Sequence, residues 1–348
     1  MNIEQAKEIA NAVLYEGYLL YPYRQSALKN RQRWTIGVVY PREYSEANGG
    51  LEPWAMQTEC LVLGGTDTTL DLYIRFLHIL LRRVKQSEET EGTAQDCSNA
   101  SSTREWSIAS RLAGEPQEEG MEREVSILSC SLSKLAEQAH TLDFAFPDER
   151  GGEEEEPAGK FVRDLRPLKG SLSVAVKPID TGLFKLTLRI ENHTPETAAI
   201  AGLRNGLVLH CFIASHAILQ VRQGAFVSLM DPPEGMREVA RECRNMHTWP
   251  VLIGTEGDAD VMLSSPSILY DYPQIAPESP GPLFDGTEID EILTLRILTL
   301  TDEEKNEMRQ RDRRAREVLE RTERLTPEAF MKLHGTIRSM RPVEEGER

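Results

Sequence analysis

Positive charge is the first thing this sequence is short of. Its 40 lysines and arginines stand against 56 aspartates and glutamates, a formal net charge of −16. Such a surface repels phosphate polyanions, so nucleic acid is not an expected partner without a sharply segregated basic face. Long apolar runs are missing too. The strongest, LDLYIRFLHILL over 70–81, falls short of a membrane span and is interrupted by charge, so no transmembrane segment is expected. The opening MNIEQAKEIANAV has acids and no apolar stretch of the secretory kind, which argues against a signal peptide. Cysteine is sparse and odd in number. Cys60, Cys97, Cys130, Cys211 and Cys243 are widely dispersed, which suits reduced thiols in a cytoplasm better than a disulfide scaffold.

Several chemical signatures are also lacking. LVLGGTDTT at 61–69 pairs two glycines after a strand, but has neither the glycine frame nor the Lys-Ser/Thr of a phosphate-binding loop, and reads as a turn. No Gly-x-Ser-x-Gly elbow occurs. Ser215 cannot be served by His216, because adjacent strand residues face opposite ways.

What is present is enough for a real core: 348 residues with 40% hydrophobic composition, for which two domains are the starting expectation. Ile3, Ala6, Ile9, Ala10 and Val13 have helical spacing. RWTIGVVYP (33–41) and AMQTECLVLGG (55–65) read as strands closed by turns, and 69–84 reads as another strand from its β-branched and aromatic content. Residues 86–120 are rich in Ser, Thr and Glu and predict a disordered acidic insert, after which a strand resumes at 122–132. DERGGEEEEPAG (148–159) reads as an acidic linker, which gives an N-terminal β-rich domain over 1–147. A β-sandwich-like domain is expected over 160–300. SLSVAVKPIDTGLFKLTLRIEN alternates on both sides of Asp180–Gly182 and predicts a hairpin, and the pattern repeats around Gln223–Gly224. A short helix begins near Pro233, and WPVLIG and ADVMLSSPSILY are further strands. Pro273, Pro277, Pro280 and Pro282 make 270–286 an extended loop. Thr301 with Glu304 forms a capping-box pattern opening a helix to about Glu323, within C-terminal helices and a tail over 301–348. The fold class is therefore α+β, with antiparallel β-sandwich-like sheets, short helices and a C-terminal helical segment.

One metal site can be composed from these residues. Cys211 and His216 stand on or before one strand, and Cys243 and His247 lie four apart at the end of the short helix. Two thiolates and two imidazoles suit tetrahedral zinc, or nickel, although residues five apart on a strand face opposite ways. The alternative makes both cysteines small buried apolar groups and implies no cofactor.

Aromatic and basic residues interleave in YEGYLLYPYRQSALKNRQRW (15–34). Gly17 and Pro22 prevent a continuous amphipathic helix for a membrane surface, and neighbouring segments lack the further basic stretches of a single-strand nucleic-acid groove. Two readings remain: a packed loop, or an interface in which Tyr21, Tyr23, Arg24, Arg31, Arg33 and Trp34 meet a protein partner. Tyr270, Tyr272 and Phe284 of the proline-rich loop, and the polar helix 301–325, are the other candidate partner surfaces.

VLYEGYLLYPYRQSALKNRQRW, GAFVSLMDPPE, WPVLIG and the long MLSSPSILYDYPQIAPESPGPLFDGTEIDEILTLRILTLTDEEK resemble a bacterial family whose members are encoded beside [NiFe]-hydrogenase structural and maturation genes. The resemblance covers both ends and most of the second half, and carries no catalytic residues with it. It implies a cytoplasmic accessory or scaffold protein, more a binder than an enzyme, whose partner is a hydrogenase subunit or maturation factor. A metal-handling protein or metalloenzyme using the Cys/His pairs is the alternative.

Overall fold

The computed structural model describes residues 2–14, 34–84, 117–156, 159–195, 204–274, 297–311, 313–324 and 326. The chain divides into two compact units, Met1–Gly17 with Trp34–Pro273, and Tyr18–Arg33 with Gln274–Arg348. In chain order the first contains α1 (Asn2–Leu14), α2 (Arg42–Ala47), β1 (Ala55–Val84), β2 (Gln117–Ser131), α3 (Leu132–Glu137), β3 (His140–Phe146), β4 (Glu149–Glu156), β5 (Gly159–Leu165), β6 (Leu168–Asp180), β7 (Leu183–Asn192), α4 (Arg204–Leu207), β8 (Ile213–Val227), α5 (Arg237–Arg241), β9 (Trp249–Ile253) and β10 (Val261–Ser265). The described part of the second contains α6 (Asp302–Arg311) and α7 (Arg313–Glu323).

All ten strands join one open antiparallel sheet, so the α+β class and the β-sandwich-like character hold. Its main path runs β3-β6-β7-β1-β8-β10-β9, with β2 and β5 also on β1 and β4 on β5. The organising element is β1. One of its edges carries β7 along Ala55–Leu63 and then β2 along Thr69–Arg82; the other carries β8 and then β5. Two strands were expected here, closed by a turn at Gly64–Gly65. The glycines instead form a bulge, where the register against β8 jumps from Gly64↔Gly224 to Thr69↔Arg222. The Thr68 hydroxyl fixes it, accepting from the Gly65 amide at 2.8 Å and donating to the Gln223 carbonyl at 2.7 Å. A side chain at Gly224 would meet the Leu63 carbonyl at 2.6 Å. The same bulge corrects the hairpin expected around Gln223–Gly224. Gln223 takes a positive φ of 56° and β8 continues through it.

Even-numbered residues on both halves of β1, from Met56 and Val62 to Leu72 and Phe76, enter one core with Leu172 and Val174 of β6, Leu186 and Leu188 of β7, and Ala217 and Leu219 of β8. An aromatic cluster closes one end. Phe76 stacks on Phe212 at 4.6 Å between ring centroids, and Phe144 and Phe146 of β3 lie about it at 6.2 and 6.0 Å. Gly170 passes beneath them, where an added Cβ would sit 2.6 Å from Phe144 and 2.8 Å from Phe212. On the opposite face, Ala6, Ile9 and Ala10 of α1 cover Ile218, Val251, Ile253, Val261 and Leu263, as the spacing of its apolar residues predicts.

The β6–β7 hairpin forms at the expected turn, with Gly182 at φ 73° and the Asp180 carboxylate accepting the Thr181 amide. Other expectations change. The acidic stretch 148–159 is not where the chain divides: it lies inside the first unit, and Glu149–Glu156 pairs with Gly159–Leu165 as β4 and β5. The insert expected over 86–120 lies outside the described residues as far as 116, and β2 begins at Gln117 rather than at 122. RWTIGVVYP makes a single bridge, Val39 to Phe212, not a strand.

In the second unit the capping box is present, the Glu304 amide donating to Thr301 Oγ1 at 3.2 Å and the Thr301 amide to Glu304 at 3.0 Å. The single helix expected to run to Glu323 is two. Arg309 donates to both carboxylate oxygens of Glu323 at 2.8 Å, and Lys305 approaches the same group at 3.8 Å. Fourteen residues of straight helix would separate Arg309 from Glu323 by about 21 Å, so α7 folds back on α6. Met308, Val318 and Leu319 of this otherwise polar segment are buried.

Candidate functional site

The four metal candidates are not brought together. Cys211 is fully buried, its thiol donating to the Leu207 carbonyl. His216 is buried on β8, and the Ala214 carbonyl accepts from its Nδ1 at 2.9 Å. Cys243 packs at the end of α5 beside Leu61, Leu183 and Val227, and His247 is exposed. Among the described residues no group of three or more His, Cys, Asp or Glu side chains is placed to hold a metal ion. Burial raises the Cys211 and Cys60 thiols far above the ordinary thiol range, and raises Cys243, with help from the Glu59 carboxylate, to about 11. These thiols are held protonated, the opposite of what a thiolate ligand or nucleophile requires.

The buried histidines are likewise neutral. Desolvation, with Arg123 nearby, lowers His78 to about 4; desolvation, with Arg166, lowers His210 to about 4; desolvation, with Arg75, lowers His216 to about 3. His78 is fully used, donating to the Arg166 carbonyl at 2.8 Å while accepting from Arg123 at 3.4 Å. His216 pairs in register with Arg75, which reaches across β2 to Glu122 at 3.2 Å and Glu124 at 3.7 Å. A bulge at Ala214, φ 52°, turns His216 inward.

Of the partner-binding candidates, Tyr21, Tyr23, Arg24, Arg31, Arg33 and Phe284 lie outside the described residues. Trp34 is corrected: it is buried, with φ 64°, and its indole donates to Glu118 at 2.7 Å, so it belongs to the core wall. Tyr272 is partly buried against the core, its amide donating to the Leu252 carbonyl at 2.7 Å. Tyr270 is on the surface at 78% exposure.

Tyr270 does not stand alone. β9 and β10 pair as a hairpin in which Trp249 faces Ser265, so the residues entering β9 and those leaving β10 meet at one end. At that end Met246 is 41% exposed, Trp249 43% and Ile268 71%. The backbone presenting them is pinned. Ser264 joins Thr58 and Thr248 in a buried hydroxyl chain with 2.5 Å links, and Thr248 also donates to the Ser265 carbonyl at 3.1 Å. Met246 exchanges backbone bonds with Gln57. Asp271 accepts from the Leu252 amide at 2.8 Å and from Ser228 Oγ at 2.5 Å, tying SLMDPPE to the segment carrying Tyr270. Glu59 supports the neighbouring loop, accepting the Arg244 amide at 2.8 Å while its own amide donates to Asn245. The result is a rigid group of large apolar and aromatic side chains held in water, an arrangement suited to anchoring in a partner's pocket with little entropy left to lose. Sequence reading found Tyr270 and missed the other three. Strand alternation puts Trp249 on the face of Val251 and Ile253, which α1 buries, and nothing local marks it as uncovered.

Among the described residues no helix is long and apolar enough to cross a membrane. No protein-family model matches the sequence, and no curated protein matches it.

Proposed function

We propose that this chain is a non-catalytic accessory protein of the cytoplasm that binds another protein, and that the partner is a [NiFe]-hydrogenase subunit or maturation factor. The observation carrying the binding role is the preorganised group Met246, Trp249, Ile268 and Tyr270 at the end of the β9–β10 hairpin. Trp and Tyr are the side chains that most often dominate interfaces, because they bury much area while losing few rotamers. The hydrogenase assignment rests on the resemblance of MLSSPSILYDYPQ and its flanking motifs, which include three of the four exposed residues or their immediate neighbours.

The test is an affinity purification of the tagged protein from its native host, read by mass spectrometry, beside the double variant Trp249→Ala/Tyr270→Ala. Hydrogenase subunits or maturation factors should co-purify with the wild type. The double variant should melt normally and bind at least about 30-fold more weakly, the equivalent of one hot spot of about 2 kcal/mol. An eluate without such proteins, or capture unaffected by the double variant, defeats the reading.

A further inference from the structure

The two ends of the main strand path are finished differently. At one end, the outer edge of β9 is closed. Leu252 turns its amide and carbonyl away from β10, to Asp271 and Tyr272, and Pro250, two residues earlier on the same edge, has no amide to expose. β2 carries Glu118, Glu122 and Glu124 along its length, and the sequence of β4, ERGGEEEE, is itself acidic.

The other end is β3, whose outer edge no described strand covers. The direction of its backbone groups follows from its neighbours. The Asn192 amide donates to Trp54 and the His193 amide to Lys169, so even residues of β7 point to β1 and odd ones to β6. Gly170, opposite Asn192, therefore points to β3, and its partner Phe144 points back. Leu142 and Phe146 do the same. Thr141, Asp143 and Ala145 are left with amides and carbonyls directed outward, and among the described residues β3 pairs with no strand but β6. All three residues are exposed. The strand contains no proline, lysine or bulge, and its inward side chains Leu142, Phe144 and Phe146 are only half-buried at the rim of the core.

We infer that the β3 edge receives an extended strand from the protein partner, one that is apolar on alternate residues and carries Lys or Arg opposite Asp143. The mode of binding is strand addition, with six backbone hydrogen bonds from Thr141, Asp143 and Ala145 and apolar side chains extending the row of Leu142, Phe144 and Phe146. Charge decides between this occupant and a second copy of the chain. Two β3 strands paired about a two-fold axis with all three outward residues engaged place Asp143 directly against its own copy. Like charges facing across a ladder are destabilising, and shifting the register forfeits bonds. A cation at that position converts the same geometry into an attraction. This inference rests on the proposed partner-binding role and adds a second surface to it.

The test uses the full chain and defined peptides: a nine-residue strand alternating Val and Lys, the same strand with Glu for Lys, and a third with a central Pro. The Val/Lys peptide should bind, slowing exchange of the Thr141, Asp143 and Ala145 amides while leaving those of Leu142 and Phe144, already bonded to β6, unchanged. The Glu and Pro peptides should bind at least tenfold more weakly, and Asp143→Lys should reverse the Lys/Glu preference. Ala145→Pro removes one outward amide that β6 does not use, so it should keep the melting temperature and weaken binding. Unchanged protection of the three amides, equal binding of Lys and Glu peptides, or indifference to both variants overturns the proposal. Protection that rises with protein concentration without peptide shows the second copy as occupant and overturns it as well. If the host partner is captured equally by wild type and Ala145→Pro, the edge assignment fails while the partner role stands. If neither captures a partner, that role fails, and the peptides still decide the edge.

Discussion

Asn192 joins three separate segments of the first unit through one side chain. It is fully buried; its Nδ2 donates at 2.9 Å to the carbonyls of both Val39 and His210, and its Oδ1 accepts the Thr194 amide at 3.0 Å. One amide thus ties the end of β7 to the 36–39 segment and to the approach to β8. Asn192→Leu keeps most of the volume and removes all three bonds. Val39 loses least, since its carbonyl also accepts the Phe212 amide at 3.1 Å. The His210 carbonyl and the buried Thr194 amide lose their Asn192 partner, at about 1–3 kcal/mol for each group left unsatisfied. The expected loss is about 2–4 kcal/mol, which at about 2–4 °C per kcal/mol in a unit of this size lowers the melting temperature by about 5–15 °C. Urea unfolding followed by circular dichroism and by Trp fluorescence measures it. Loss below about 1 kcal/mol would show that the amide is not what joins these segments.

Two further perturbations follow from the core. His78, His210 and His216 are lowered to about 4, 4 and 3 from 6.5, so between those values and 6.5 the unfolded chain binds the more protons. Stability is therefore full above about pH 6.5 and falls as pH drops towards 4, by up to about 1.4 kcal/mol per pH unit for each histidine; unfolding free energies that stay level from pH 7 to pH 5 would contradict it. Gly170→Ala must displace Phe144, Phe212 and the Glu191 carbonyl, and should cost about 1–3 kcal/mol and increase amide exchange throughout β3, measured by hydrogen exchange.

How much of this was legible in the sequence depends on the range of the forces involved. The β6–β7 hairpin, α1, the β9–β10 strands and the Thr301–Glu304 cap are set by contacts within a few residues, and their patterns were readable. β1 was not, because Gly64–Gly65 is a turn by composition and becomes a bulge only where β8 supplies Gln223 at positive φ and Gly224 to make room. The fold-back of α7 escaped for a related reason. Glu320–Arg324 forms as a local pair at 3.6 Å, whereas Glu323 finds Arg309 fourteen residues away, a choice that i,i+4 spacing cannot express. The Cys/His set failed on direction: spacing gave four ligands of two types, but the fold sends Cys211 and His216 inward and leaves His247 in water.

The two proposed surfaces stand at opposite ends of the strand path, Trp249 on β9 and Asp143 on β3. With about 4.8 Å between neighbouring strands, the six steps from β3 to β9 amount to about 29 Å along the sheet. A segment of about nine extended residues covers that distance. One partner can therefore hold both surfaces, anchoring aromatic side chains at the hairpin end while lending a strand to β3, and the second contact then forms at high effective concentration. Two moderate interactions joined in this way give tight binding without a single large interface. The closed edge at β9 has its own role in that arrangement: with Leu252 already bonded to Asp271 and Tyr272, the described strands leave the β3 end of the main path for the proposed strand, where a cation opposite Asp143 favours one register.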